Sequence, residues 1–193
     1  MRPDFYARPV LEVARALIGC VVTHGECSGV IVETEAYHDS EPACHAFIGL
    51  TPRTATLFGP PGRAYVYLSY GLHALLNAVC EPEGVGAAVL IRALEPLCGV
   101  ELMAARRGVD PGRRRALCSG PGKLTQALGV TLGENGSALL GGPIEISGRV
   151  GRFSDPVVQR DRRIGITKAA DLPWRFCLAQ SPYLSAPVRA RGS

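Results

Sequence analysis

Lysine is nearly absent from this chain. Of its 21 lysines and arginines only Lys123 and Lys168 are lysines, so few amines are available as covalent nucleophiles. Long apolar runs are missing too: none reaches the roughly 18 residues that a membrane-crossing helix needs. The opening stretch MRPDFYARPV has no hydrophobic signal core, which reads as a cytoplasmic protein. Paired cysteine motifs are lacking as well. The seven cysteines stand singly at positions 20, 27, 44, 80, 98, 118 and 177, which fits neither a disulfide framework nor a zinc ribbon. Cys27, His38, Cys44 and His45 match no common zinc spacing, so no metal site is expected. No repeat or low-complexity tract interrupts the chain.

What is present describes an ordinary folded protein. The 193 residues are 47% hydrophobic and 20% charged, enough for one domain spanning 1–193 with a substantial core. The net charge of +4 is compatible with an anionic partner without specifying one.

Pattern places the elements coarsely. Residues 9–18 read as a helix with Pro9 in its first turn and Gly19 after its end. Residues 20–24 and 29–37 read as strands, as do 64–70 and 72–80, joined near Tyr70-Gly71, and 86–94. Residues 98–107 form a helix stopping at Gly108, followed by a basic loop, RGVDPGRRRA. Ser119 is expected to cap a helix over about 120–128. The remainder is short strands and turns, including IEI, RRIGI and WRFCLA. Strands outnumber helices and no βαβ rhythm appears. The expectation is a mixed α/β single domain, with a curved, largely antiparallel β-sheet flanked by helices and a protruding β-hairpin.

Titratable groups crowd the stretch IVETEAYHDSEPACHAF, residues 31–47. Strict alternation puts Ile31, Glu33, Glu35 and Tyr37 on one face of the strand and Val30, Val32, Thr34 and Ala36 on the other. A solvated edge bearing surface glutamates explains that pattern as well as a reactive cleft does. His38, Asp39, Glu41 and His45 follow at once and favour the cleft. Residues 64–70 add Tyr65, Tyr67 and Tyr70, half of the six tyrosines. Tyr70 precedes Gly71 at the hairpin tip, a poor place for a core aromatic and a good one for insertion into a partner. Asn77 and Arg92 each interrupt an apolar strand and need buried partners. For Arg92 these are Glu33, Glu35, Glu95 or a bound phosphate. SGPGKL, 119–124, opens a helix with glycines and Lys123; it is either an anion contact or a plain helix start.

Together VETEAY, TPR, YVYLSYGLH, the Asn77 strand, VLIRALEP and LCSGPGKLTQALG resemble the alkyladenine (3-methyladenine) DNA glycosylase family, in family order over about residues 5–180. The resemblance implies a monofunctional base-excision enzyme. It would flip alkylated or deaminated purines (3-methyladenine, 7-methylguanine, hypoxanthine, etheno-adenine) from duplex DNA and hydrolyse the N-glycosidic bond. Glu35 matches the glutamate that activates water, and Arg92 the arginine that helps hold it. Tyr37, His45 and Tyr67 match the side chains that sandwich the extruded base. Asn77 matches the asparagine guarding the pocket, and Tyr70 the intercalating tyrosine. RRIGI resembles a segment lending a backbone carbonyl near the water. Arg53, Arg63 and Lys123 are candidate DNA-backbone contacts, followed by the 113–115 arginine run. No cofactor is implied; the partner is damaged double-stranded DNA and the chain is expected to be a monomer. One departure stands out. Between His45 and Thr51 the chain is one residue shorter than the mammalian pattern and reads AFIGL in place of a polar run.

Physical chemistry supports that reading. A duplex base must be extruded to react, at a cost of a few kcal/mol. Aromatic stacking returns about 1–3 kcal/mol per base. A cationic alkylpurine favours electron-rich faces and leaves readily through an oxocarbenium-like transition state. Two other readings are a lesion-binding protein without cutting activity, against which the intact Glu35 argues, and a metal-dependent hydrolase built on His38 and His45.

Overall fold

The computed structural model describes residues 2–189. The chain runs α1 (Val10–Ala16), β1 (Cys20–His24), β2 (Cys27–His38), β3 (Ala64–Ser69), β4 (His73–Val79), β5 (Ala87–Cys98), α2 (Val100–Arg107), α3 (Arg114–Cys118), α4 (Pro121–Leu128), β6 (Ile144–Arg149), β7 (Val158–Asp161) and β8 (Arg175–Leu178). All pairings are antiparallel, in the order β3-β4-β5-β2-β1-β6. β8 adds to β2 over Glu33–Glu35, beyond where β1 ends, and β7 pairs with β8. This is the expected mixed α/β single domain with a largely antiparallel sheet. Among the described residues no helix is long and apolar enough to cross a membrane.

The helices cover one face. Val13, Ala14 and Leu17 from the α1 region, Leu124, Ala127 and Leu128 from α4, and Met103 from α2 pack with Ile31, Leu76, Val89, Ile91 and Leu94 of the sheet. Thr34 belongs to this face too: its hydroxyl donates to the Ala14 carbonyl at 2.9 Å. The other face carries three smaller apolar clusters and the charged groups described below.

Strict alternation along β2 is broken. Ile31 packs in the helix-side core with Ala36, while Val30 and Val32 join clusters on the opposite face, the face of Glu33 and Glu35. The register shifts around Glu33, where β2 pairs with β5. A bulge leaves one residue unpaired and re-aims the side chains that follow it. Here Val32 and Glu33 both turn away from the helices, as do Arg92 and Ala93 across from them. The bulge therefore sets a buried ionic row beside an apolar cluster, which alternation alone does not yield.

Helix boundaries also move. α1 is shorter than 9–18. β5 continues to Cys98, and Gly99, at φ +71°, turns the chain into α2. Ser119 does not cap α4: Gly120 is the N-cap residue, with Pro121 next. Part of the expected basic loop is helical (α3), and Arg114 donates to the Pro96 carbonyl at 2.7 Å. IEI and WRFCLA do contain strands, β6 and β8, whereas RRIGI is irregular chain after β7.

The β3–β4 hairpin projects as anticipated. Ser69 pairs with His73, and Tyr70 and Gly71 have φ of +50° and +69°. Consecutive positive φ values suit the twist of a tight hairpin, but a left-handed tyrosine costs about 1–2 kcal/mol. Tyr70 is 93% exposed, so packing does not repay that strain. We expect Tyr70→Ala to leave the thermal midpoint within a few degrees of the parent, whereas a core tyrosine truncation costs about 3–5 kcal/mol. A large drop would show that the ring packs in solution.

Candidate active site

On the face away from the helices, a cavity of about 450 Å³ opens beside the hairpin. Strands supply its walls at alternate positions. β2 gives Tyr37, β3 gives Tyr65 and Tyr67, β4 gives Leu75 and Asn77, and β5 gives Ala88, Leu90 and Arg92. The turn after Cys44 contributes His45, and irregular chain contributes Arg53 and the Ile164–Ile166 segment. Tyr70 stands at the rim.

Behind that wall lies Glu35, fully buried. Its Oε1 accepts the Ile164 backbone N–H at 2.7 Å. Its Oε2 accepts the Tyr37 hydroxyl at 2.8 Å and an Arg92 N–H at 3.2 Å. All three donors line the cavity, and Glu35 is one layer behind them. Burial raises its pKa above the ordinary carboxylate value; Arg92, the Ile164 N–H and the Tyr37 hydroxyl oppose that rise. Tyr37 is pushed far up in turn, by burial and by the adjacent Glu35 carboxylate, and keeps its proton.

Glu33 sits one step back and is occupied differently. Its Oε1 accepts Arg92 Nε at 3.0 Å, Arg175 Nε at 2.7 Å and the Ser185 hydroxyl at 2.7 Å. Its Oε2 accepts the Ser185 N–H at 2.6 Å. Arg175 continues to Asp161 at 3.0 Å. Of the partners open to Arg92 from sequence, the structure selects Glu33 and Glu35; Glu95 pairs with Arg152 instead. Against the Tyr37 ring a second pair forms, Arg163 with Glu41, at 2.6 and 2.9 Å.

The aromatic walls touch one another. His45 and Tyr67 meet edge to face with ring centroids 4.5 Å apart, and Tyr65 stacks on Tyr67 at 5.3 Å. The His45 Nδ1 is 3.1 Å from the Tyr65 hydroxyl. Burial and Arg53 lower the His45 pKa, so the imidazole is neutral at neutral pH. Asn77 donates through Nδ2 to the Tyr65 carbonyl at 3.1 Å and the Leu75 carbonyl at 3.4 Å. These two acceptors set the amide orientation, which turns Oδ1 away from them and leaves it as an acceptor.

A scan of family models matches residues 4–182 to Methylpurine-DNA glycosylase. The chain belongs to the methylpurine-DNA glycosylase family. A protein of Rhodopseudomonas palustris named "Putative 3-methyladenine DNA glycosylase" is 55% identical over 183 residues, covering 95% of this chain and 86% of its own length. Proteins of the same name from Nitrosospira multiformis and Granulibacter bethesdensis are each 50% identical, covering 96% and 98% of this chain and 93% and 89% of their own lengths. As a DNA glycosylase the chain is a hydrolase of DNA repair.

The cavity and the carboxylate behind it gather most of the residues singled out from sequence: Glu35, Tyr37, His45, Tyr67, Asn77 and Arg92, with Tyr70 and Arg53 at the cavity. Lys123 is exposed in the first turn of α4, whose Pro121 lines the cavity. Arg63 is elsewhere. It precedes β3 at the end opposite Tyr70, about 23 Å away along the strand. His38 lies outside as well, beside Glu81 at 3.5 Å and Asp39 at 3.2 Å. Cys27 contacts the Gly99 carbonyl and Cys44 the Gly86 carbonyl, so the two cysteines and two histidines do not converge. Sequence reading named Tyr65 without giving it a role and missed Arg163, Arg175 and Ser185. Alternation with Tyr67 could have placed Tyr65 at the cavity, and a charge inside WRFCLA could have found Arg175. Ser185 carries no local signal.

Removing one partner of a buried ion pair strands the other, at about 3–5 kcal/mol. Glu33→Gln should therefore lower stability by about that amount while leaving the donors to Glu35 other than Arg92 in place. Denaturant unfolding of this variant beside Glu35→Gln would check it, and an unchanged midpoint for Glu33→Gln would refute the structural role.

Proposed function

We propose that this methylpurine-DNA glycosylase is monofunctional: it takes a damaged purine out of duplex DNA into the 450 Å³ cavity and hydrolyses its N-glycosidic bond with a water activated by Glu35. The observation that carries the reading is one buried carboxylate held by three cavity-lining donors directly behind aromatic walls.

Donor counting supports Glu35 as the base. Its Oε1 receives a single hydrogen bond, from Ile164, and retains a lone pair for a water. Glu33 spends its acceptors on four donors. In the proposed step the water oxygen bonds to C1′ as its proton passes to Glu35. The electrons of the C1′–N bond go to the departing base, and an alkylated purine leaves neutral. Charge supports a cationic substrate. The buried charged side chains among the described residues are Glu33, Glu35, Glu41 and Asp161 against Arg92, Arg163 and Arg175. With the carboxylates ionised, the acids are in excess by one, which favours a positive base and a developing oxocarbenium ion. The neutral His45 does not cancel that excess. Tyr37, His45 and Tyr67 are assigned to the faces of the base and Asn77 to its edge.

Tyr70 is assigned to the gap left in the stack, and Arg53 and Lys123 to phosphates. Exposure supports each assignment. Arg63, distant from the rim, would touch only DNA that extends along the hairpin. Lys123 and Lys168 are both exposed and outside the cavity lining, which supports hydrolysis over a Schiff-base route. We assign no cofactor; the chain acts as a monomer in the cytoplasm.

Glu35→Gln should bind lesion DNA and lose about 10²–10⁴ in single-turnover excision. Near-normal excision would overturn the mechanism. For a cationic lesion, whose base needs no added proton, excision requires ionised Glu35. Because burial raises its pKa, the rate should fall on acidification at a pH above the ordinary glutamate value of about 4.3. An acid limb at or below that value would contradict the burial argument. Tyr70→Ala should slow excision more from a paired site than from an unpaired one, where unstacking is cheaper; equal slowing at both would remove the wedge assignment.

A further inference from the structure

Two of the three donors to Glu35 adjoin one side chain outside the mechanism. Arg163 is nearly fully buried. Its guanidinium lies 4.6 Å from the centroid of the Tyr37 ring and 5.3 Å from that of Trp174. It forks onto Glu41 at 2.6 and 2.9 Å and donates to the Ala36 carbonyl at 2.9 Å and the Ala169 carbonyl at 3.3 Å. The next residue is Ile164, whose N–H reaches Glu35. The chain from 162 to 166 has no regular secondary structure, so no ladder of backbone bonds holds that N–H in place. Beyond Arg163, the described anchor at its start is the Arg162 N–H on Asp161 at 2.7 Å.

We infer that the Arg163–Glu41 pair is a positioning device for catalysis: it pins the Ile164 N–H against one oxygen of Glu35 and backs the Tyr37 ring that serves the other. The inference rests on Glu35 being the reacting carboxylate. A planar fork suits the task. It bonds both Glu41 oxygens, reaches two main-chain carbonyls and lies over two rings, a combination that a point charge does not reproduce. Glu41 is fixed in turn, since its Oε2 also accepts the Ala43 N–H at 2.9 Å.

Loosening Ile164 would remove a donor that favours the ionised form of Glu35. The other groups facing that carboxylate are Arg92 from β5, Glu33 from β2, Tyr67 from β3, Cys177 from β8 and, through its charge, Arg163 itself, while Tyr37 from β2 loses its backing in the same change. The acid limb of excision should then move upward by about one pH unit, the order expected when one charge-assisted hydrogen bond is lost.

The test is single-turnover excision, across pH, from a duplex carrying one 7-methylguanine, by the full chain and by Arg163→Met, Arg163→Lys and Glu41→Gln, with melting temperature and lesion-DNA affinity in parallel. The expected result is an acid limb displaced upward in Arg163→Met and Glu41→Gln, an intermediate displacement in Arg163→Lys, and DNA affinity within a few-fold of the parent. Should Arg163→Met not fold, the lysine variant and Glu41→Gln carry the comparison. Rates that fall by the same factor at every pH, with the limb unmoved, would make the pair merely structural and overturn the inference. Glu35→Gln in the same series separates the two ideas: if it excises normally, the assignment of the base fails first.

Discussion

Everything in this site hangs on Arg92 lying between Glu33 and Glu35, with all three side chains buried. Burying three charges is costly unless each finds partners of good geometry. Here the guanidinium bonds both carboxylates, and Glu33 is completed by Arg175 and Ser185. Arg175 then requires Asp161. Satisfying one arginine therefore draws together β2, β5, β8, the end of β7 and the chain near Ser185. The register shift at Glu33 follows from the same need, because strict alternation would leave no place for Val32 and Glu33 on one face.

The arrangement divides two neighbouring glutamates by environment. Glu33 is saturated with donors and acts as a keystone. Glu35 is held by a backbone N–H, a phenol and one shared guanidinium, next to a cavity, with its pKa raised by burial. The donors that hold it also line the cavity. The aromatic walls pack against a buried cluster of Cys44, Ala46, Leu57, Val79 and Ala88. Tyr70, at the rim, is unpacked, and Leu72 on the hairpin and Phe47, Ile48 and Leu50 after His45 are exposed as well. The last three fall where the chain departs from the mammalian pattern.

Local pattern carried much of this. Period-two runs placed the strands, Tyr70-Gly71 marked the hairpin tip, and a charge in VLIRAL marked a buried arginine in need of partners. Motif resemblance singled out Glu35, Tyr37, His45, Tyr67, Asn77 and Arg92, residues that the fold does bring to one face. Arg63 shows the limit of that reasoning: proximity in sequence to the tyrosine run does not survive seven residues of extended strand.

By itself the sequence determined the class of fold and the family, because those follow from periodicity and from residue identity within short motifs. Only the tertiary structure decided which carboxylate meets which arginine. That choice depends on the bulge between β2 and β5 and on contacts such as Arg175 with Glu33 and Ser185 with Glu33, across 142 and 152 positions of chain. Hydrogen-bond partners so far apart leave no trace in local composition; they are selected when burial makes every unpaired charge too costly to keep.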